Sequence, residues 1–247
     1  MVTKDRFSAQ ASGYFKFRPR YPVALAEALS KLIAQRKFAW DCGAGNGQMA
    51  ELLAPYFEQV VGTDISAKQL AEAPQLPNVT FRVEQAEQST FADHSVDLIV
   101  VAQAIHWFQF DAFYAEVRRV LRPGGMIALI GYPLFTTPNA ALNHLIQHFY
   151  TNIVGPYWDK ERRHLDARYT TIPFPFQEIN FPDFQMQYHW TAEQLLGYLS
   201  TWSAVQHYIK AHGVDPVEAI SAEIRTLLPE AQTAEINFEL LCRVGTL

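Results

Sequence analysis

Three groups of residues in this chain have the types and spacing to do chemistry together. The first is the run DCGAGNG at Asp41–Gly47, three alternating glycines preceded by an acid. Glycines at such a turn leave the backbone bare, so a ligand can approach main-chain N–H groups and the positive end of a following helix. A dinucleotide fingerprint would read G-x-G-x-x-G, whereas this loop reads G-x-G-x-G. The second is Asp64, which closes the run VVGTD; a carboxylate there can accept hydrogen bonds from two adjacent ribose hydroxyls. The third is Gln103 and His106, an amide and an imidazole beside Trp107 and Phe108, which suits a water-poor pocket with a few placed polar groups. An imidazole titrates near pH 6.5, about where it can take a proton from a hydroxyl or amine. It can equally hydrogen-bond a carboxylate, for which no base is needed.

These groups need a scaffold that brings them to one edge. Pro22 opens a helix whose Leu25, Leu29, Leu32 and Ile33 repeat with the helical period. A first strand then runs over about 37–42, a second ends at Asp64, and Ser66 with Gln69 forms a capping box for the next helix. Val79–Val83 reads as the third strand and Val96–Ala102, apolar except for Asp97, as a central fourth strand buried on both faces. Asp111 caps a helix that ends at the turn Arg122-Pro123-Gly124-Gly125, and Met126–Gly131 is the fifth strand. Strands alternating with helices in this way predict a doubly wound, mostly parallel α/β sheet with helices on both faces. The rhythm breaks after Tyr132. Residues 133–175 read as a cap insertion above the carboxyl edge, and 176–247 complete the sheet with a strand at 185–190, helices over about 191–211 and 215–228, and a last strand near 234–244. The whole chain, 1–247, reads as a single domain, with 22–132 as its ligand-binding core.

The chain has 247 residues, nearly half of them apolar, with 20 basic and 25 acidic side chains and a net charge of −5. That is enough for one sizeable core and too little basic charge for a nucleic-acid footprint. The start MVTKDRFSAQ lacks the apolar core of a signal peptide, and no apolar run is long enough to span a bilayer. The two cysteines, Cys42 and Cys242, form no disulfide framework. A cytoplasmic setting, a small-molecule partner, and neither nucleic acid nor membrane are expected; no metal is called for.

DCGAGNG, VVGTDIS, VAQAIHWF and RRVLRPGG together resemble the class I S-adenosylmethionine-dependent methyltransferases. With FRPRYP upstream, the pattern is similar to the small-molecule branch that includes trans-aconitate methyltransferase-like proteins. The resemblance implies a Rossmann-like, seven-stranded sheet and S-adenosyl-L-methionine as cofactor. It implies transfer of a methyl group by in-line displacement to a carboxylate or hydroxyl oxygen of a small molecule. Gly43, Ala44 and Gly45 would approach the methionine moiety and ribose, with Asp41 and Gln103 beside them. Asp64 would take the ribose hydroxyls, Ile65 would pack on adenine, and Ala86 and Glu87 would lie at the adenine amino group. His106 would be the catalytic candidate and, with Trp107, would meet the acceptor.

Residues 1–21 are expected to form a lid, with Tyr14 or Arg18 binding the methionine carboxylate. In the insertion Tyr132, Tyr157, Trp158 and Arg163, or its neighbour Arg162, are candidates for a substrate wall. Two other readings stand beside this one: a non-catalytic cofactor-binding sensor or scaffold, and an NAD-dependent oxidoreductase, which the glycine spacing disfavours.

Overall fold

Short β-branched runs and amphipathic helices alternate along the chain, and in the computed structural model, which describes residues 17–247, they assemble around one sheet. The first helix, α1 (Val23–Lys31), buries Leu25, Ala26 and Leu29 and is followed by β1 (Phe38–Cys42). Then come α2 (Gln48–Leu53), β2 (Gln59–Asp64), the single turn α3 (Ala67–Leu70) and β3 (Val79–Val83). The central strand β4 (Val96–Ala102) is buried at every position but its last, as a strand covered by helices on both faces must be. A 3-10 turn (Ile105–Trp107) leads into α4 (Phe110–Val120), which buries Phe113, Tyr114, Val117 and Val120, and then β5 (Leu121–Gly131). The insertion carries α5 (Ala140–His148) and α6 (Arg162–Asp166). The chain ends with β6 (Gln177–Glu178), β7 (Phe184–Trp190), α7 (Ala192–Ser200), α8 (Ser203–His212), α9 (Glu218–Leu227) and β8 (Ala234–Thr246).

The sheet order is β3-β2-β1-β4-β5-β8-β6, with β7 also on β8. Strands β1 to β5 are parallel, and β8 is antiparallel to β5, β6 and β7. The sheet has eight strands rather than the seven expected. The cause is β8, whose 13 residues reach past one partner. Leu241–Thr246 pairs with β5, Ala234–Leu240 pairs with β7, and the two-residue β6 adds at Gly245 and Thr246.

Two other elements differ from the sequence reading. The helix expected over 191–211 breaks at Thr201–Trp202, where extended backbone at Trp202 lets its indole, only 3% exposed, pack on Phe149, Tyr150 and Trp158. The Ser66 cap is formed, its hydroxyl accepting from the Gln69 amide at 3.4 Å, but the helix it starts stops after one turn at Leu70.

Because β1, β2, β4 and β5 run parallel, their carboxyl ends lie at one edge, and those ends are Asp41-Cys42, Asp64, Ala102 and Gly131. Among the described residues no helix is long and apolar enough to cross a membrane.

Candidate active site

At the carboxyl edge a cavity of about 690 Å³ opens between the β1–α2 loop, the ends of β2 and β4, and the stretch that enters α1. Its wall includes Arg18, Asp41, Gly43, Ala44, Gly45, Asp64, Ile65, Ala86, Glu87, Gln103, His106, Trp107 and Tyr132, and thus brings together most residues singled out from the sequence. Trp158 and Arg163 are not on that wall, and Tyr14 lies outside the described residues, as does most of the expected lid.

The glycine loop is shaped by its contacts. Gly43 has φ +73°, a left-handed conformation, and a Cβ there would stand 2.5 Å from the Ala104 Cβ. Sequence reasoning expects its amides to face a ligand; the structure corrects this. The amides of Gly43 and Ala44 both donate to the Thr63 carbonyl, at 2.8 and 2.9 Å, and Gly47 N–H donates to the Ala44 carbonyl at 2.8 Å. Gly45 N–H donates to Asp64 Oδ2 at 2.9 Å. These four amides are thus used to fold the loop, and the bare Cα faces of Gly43, Gly45 and Gly47 lie against Ala104, Gln69 and Phe81.

The two acids differ in environment. Asp64 Oδ1 accepts from the Ser66 amide at 2.8 Å, so a backbone N–H orients each of its oxygens. Asp41 is 1% exposed; its Oδ2 accepts from Ala50 N–H at 2.9 Å, and its Oδ1 has no hydrogen-bond partner. Burial pushes the Asp41 carboxyl up to about 7, with the Ala50 hydrogen bond opposing and the Asp64 charge adding to the rise. Glu87 Oε1 accepts from Gln109 N–H at 2.8 Å and so closes one side of the cavity against the start of α4.

Beyond β4 the backbone is held in an unusual state. Gln103 has φ +54°, its N–H donates to the Ile130 carbonyl at 2.8 Å, and its side-chain amide donates to the Tyr132 carbonyl at 3.0 Å. A non-glycine residue held so at a strand end marks a place where surrounding structure overrides local preference. The 3-10 turn then sets His106 under the insertion. Its ring lies 4.8 Å from that of Trp107 and 6.5 Å from that of Tyr169, and Nδ1 has no partner. Burial, aided by the charges of Arg162 and His164, pulls the His106 imidazole down to about 3. At neutral pH it is uncharged and a weak base.

Of the paired arginines at the start of α6, both offered by the sequence, Arg162 turns inward onto the insertion and neither is on the cavity wall. Consecutive helical residues point about 100° apart, so both cannot face one side. The Arg162 guanidinium lies 4.6 Å over the Trp158 ring and 5.5 Å over Tyr150, and its Nε donates to the Tyr150 hydroxyl at 3.0 Å. Arg163 is exposed. Trp158 is spent on this stack and on a hydrogen bond from its indole to the Tyr150 carbonyl at 3.2 Å, so it braces the insertion.

Sequence reasoning missed several wall residues, among them Tyr21, Gln48, Gln69 and Glu161. Gln48 had a usable signal, since it is the first residue of α2 after the glycine loop. Its side chain accepts from Tyr21 N–H at 2.9 Å and donates to the Pro19 carbonyl at 3.3 Å, clamping the stretch before α1 across the cavity.

Residues 40–129 match the model of a family described as a methyltransferase domain. A provisionally assigned methyltransferase of Dictyostelium discoideum is 33% identical over 96% of this chain and 90% of that protein. The solved structure of a provisionally assigned type II methyltransferase from Anaeromyxobacter dehalogenans superposes with a TM-score of 0.85 and 36% identity, over 93% of this chain and 98% of that one. A provisionally assigned S-adenosylmethionine-dependent methyltransferase of Saccharomyces cerevisiae is 28% identical over 65% of this chain, which spans 59% of that protein's length.

Proposed function

The chain belongs to the class I S-adenosylmethionine-dependent methyltransferases, and from that membership we propose that it methylates a carboxylate oxygen of a small-molecule acceptor. The finer resemblance to trans-aconitate methyltransferase-like proteins rests on FRPRYP and VAQAIHWF alone.

The wall residues fit the cofactor. The loop at Gly43 lines the cavity and packs so closely on Ala104 that an added Cβ would displace one or the other, and Asp41 offers a buried, partnerless carboxyl oxygen to an ammonium group. In this reading Asp64, on the cavity wall at the end of β2, receives the ribose hydroxyls, and Ile65, Ala86 and Glu87 line the adenine side. When bound, S-adenosylmethionine would supply a sulfonium methyl for an anionic acceptor oxygen: the O–C bond forms as the C–S bond breaks, S-adenosylhomocysteine is the leaving group, and no proton has to be removed. The work left to the protein is to hold the acceptor close and aligned while excluding water, which can contribute about 7–11 kcal/mol.

The observation that carries the choice of acceptor is the state of His106. A hydroxyl acceptor needs a base of pKa near the working pH, and an imidazole held down at about 3 is not one. A carboxylate acceptor needs none. His106 then serves as a neutral hydrogen-bonding wall. The reading is tested by incubating the protein with S-adenosylmethionine and matched sets of carboxylic acids, phenols and alcohols, with products identified by mass spectrometry. Methyl esters are expected; ethers from the hydroxyl sets with no ester would sink it.

Asp41 makes a second prediction. Its carboxyl is protonated in the folded protein below about pH 7, and a bound ammonium favours the ionised form. Binding of S-adenosylhomocysteine should therefore release a proton at about pH 6 and tighten roughly tenfold between about pH 6 and pH 7.5. Buffers of different ionisation enthalpy in calorimetry read the proton directly, and Asp41→Asn should flatten the profile. The sign for stability is opposite. With the folded value raised above the unfolded one, the ligand-free protein loses this group's contribution as pH rises from about 4 to about 7.

A further inference from the structure

Two phenols stand where the wall passes from the expected cofactor side to the insertion. Tyr21 comes from the stretch before α1 and Tyr132 from the residue after β5; they are 9% and 6% exposed, and both line the cavity. Their rings lie 6.2 Å apart with planes at 59°. Among the described residues neither hydroxyl makes a hydrogen bond, and neither is a buried unpaired atom, so both rings are largely buried while their hydroxyls keep access to the cavity they line. Elsewhere in the fold buried phenols are paired: the hydroxyl of Tyr114 donates to the Pro173 carbonyl and that of Tyr150 to Asp166.

Both phenols are held from behind. Tyr21 N–H is bound by Gln48, and its neighbour Arg20 is held through both N–H and C=O by the Tyr188 hydroxyl, at 2.8 and 2.7 Å. Tyr132 is fixed through its carbonyl by Gln103, and its ring packs edge-on against Phe238 at 5.3 Å. Side chains mounted in this way are preorganised to meet a ligand atom rather than to fold around one. Burial raises the Tyr21 hydroxyl well above its ordinary range, with Tyr132, Tyr169 and Asp41 adding to the rise and Arg18 opposing it. Tyr21 is therefore a proton donor throughout the working range.

We propose that Tyr21 and Tyr132 form a paired hydroxyl donor that holds one oxygen of the acceptor carboxylate and leaves its other oxygen facing the methyl group. This rests on the carboxylate reading above and adds to it the residues that select and orient the acid. Two O–H donors set by rigid rings suit a small planar carboxylate, one oxygen of which can accept from both.

The test uses the full chain saturated with S-adenosylhomocysteine, with acetate, benzoate and succinate as probes. Tyr21→Phe and Tyr132→Phe keep the rings and remove only the hydroxyls. Each should weaken binding of the best probe about tenfold, the factor one charge-assisted hydrogen bond carries. KM for that acid should rise in step, while affinity for S-adenosylhomocysteine and the melting temperature hold. If the wild type methylates an acid and both phenylalanine variants bind it as tightly, the paired donor is wrong and the carboxylate reading stands. If the wild type binds S-adenosylhomocysteine but binds and methylates none of the acids, the carboxylate reading fails and takes the pair with it.

Discussion

Replacing Asp97 by alanine should destabilise the protein by about 3–5 kcal/mol, the usual cost of removing one partner from a buried charged pair. Asp97 is the single charged residue in the apolar run of β4, and it is 2% exposed. One oxygen, Oδ2, accepts from the amides of Lys37 and Phe38 at 3.0 and 2.8 Å, where β1 begins. The other, Oδ1, lies 2.7 Å from Arg122, at the start of β5. One carboxylate thus joins three neighbouring strands at the end opposite the cavity. Alanine would leave two amides and a guanidinium without their acceptor, each amide costing about 1–3 kcal/mol if it stays buried. Against a total stability of about 5–15 kcal/mol that is a large fraction. Denaturant unfolding should show a lowered midpoint at unchanged slope. In a double-mutant cycle Arg122→Met should recover part of the loss, because the orphaned cation goes with it. A change below about 1 kcal/mol would mean that the strands hold their register without Asp97.

What could be read from the sequence depended on the range of the interactions involved. The glycine loop, Asp41 and Asp64 were legible because each is a local signal: a residue type at a strand end, spaced by one turn. The same holds for Gln103 to Trp107, which follow the most apolar strand directly. The fate of the loop amides was not legible. Their acceptors, Thr63 and Asp64, lie about one βαβ unit away, and only the folded pairing shows that the donors are already used. Arg162 and Arg163 are adjacent and alike in type, and the phase of a five-residue helix decides which one faces inward. Tyr21 was hidden among seven other aromatic and basic residues between 7 and 21 until Gln48 showed how that stretch is tied down. The eighth strand is two residues long and owes its existence to the length of β8, so no local pattern announces it.

Gly43→Val should lower methyl transfer by about a hundredfold or more, because it displaces both halves of the site at once. Two separate costs meet at this position. A β-branched residue at φ +73° is strained whatever the space around it. The space is also absent, since the added Cβ would meet Ala104 Cβ at 2.5 Å and the Phe108 ring at 3.3 Å. If the loop yields, the bonds from Gly43 and Ala44 to the Thr63 carbonyl are lost, and Gly45 no longer orients Asp64. If the facing stretch yields, Gln103 to Phe108 moves and carries His106 with it. Either movement separates the residues proposed for the cofactor from those proposed for the acceptor. Gly124 separates these effects from backbone strain alone: it has φ +77°, but an added Cβ there would meet nothing within 4 Å. Gly124→Asn should leave turnover near wild type, asparagine being among the residues that tolerate this conformation. Calorimetry with S-adenosylhomocysteine, run beside thermal unfolding of both variants, distinguishes the outcomes. If folded Gly43→Val protein bound S-adenosylhomocysteine as tightly as wild type, the loop at Gly43 would not be part of the cofactor's site.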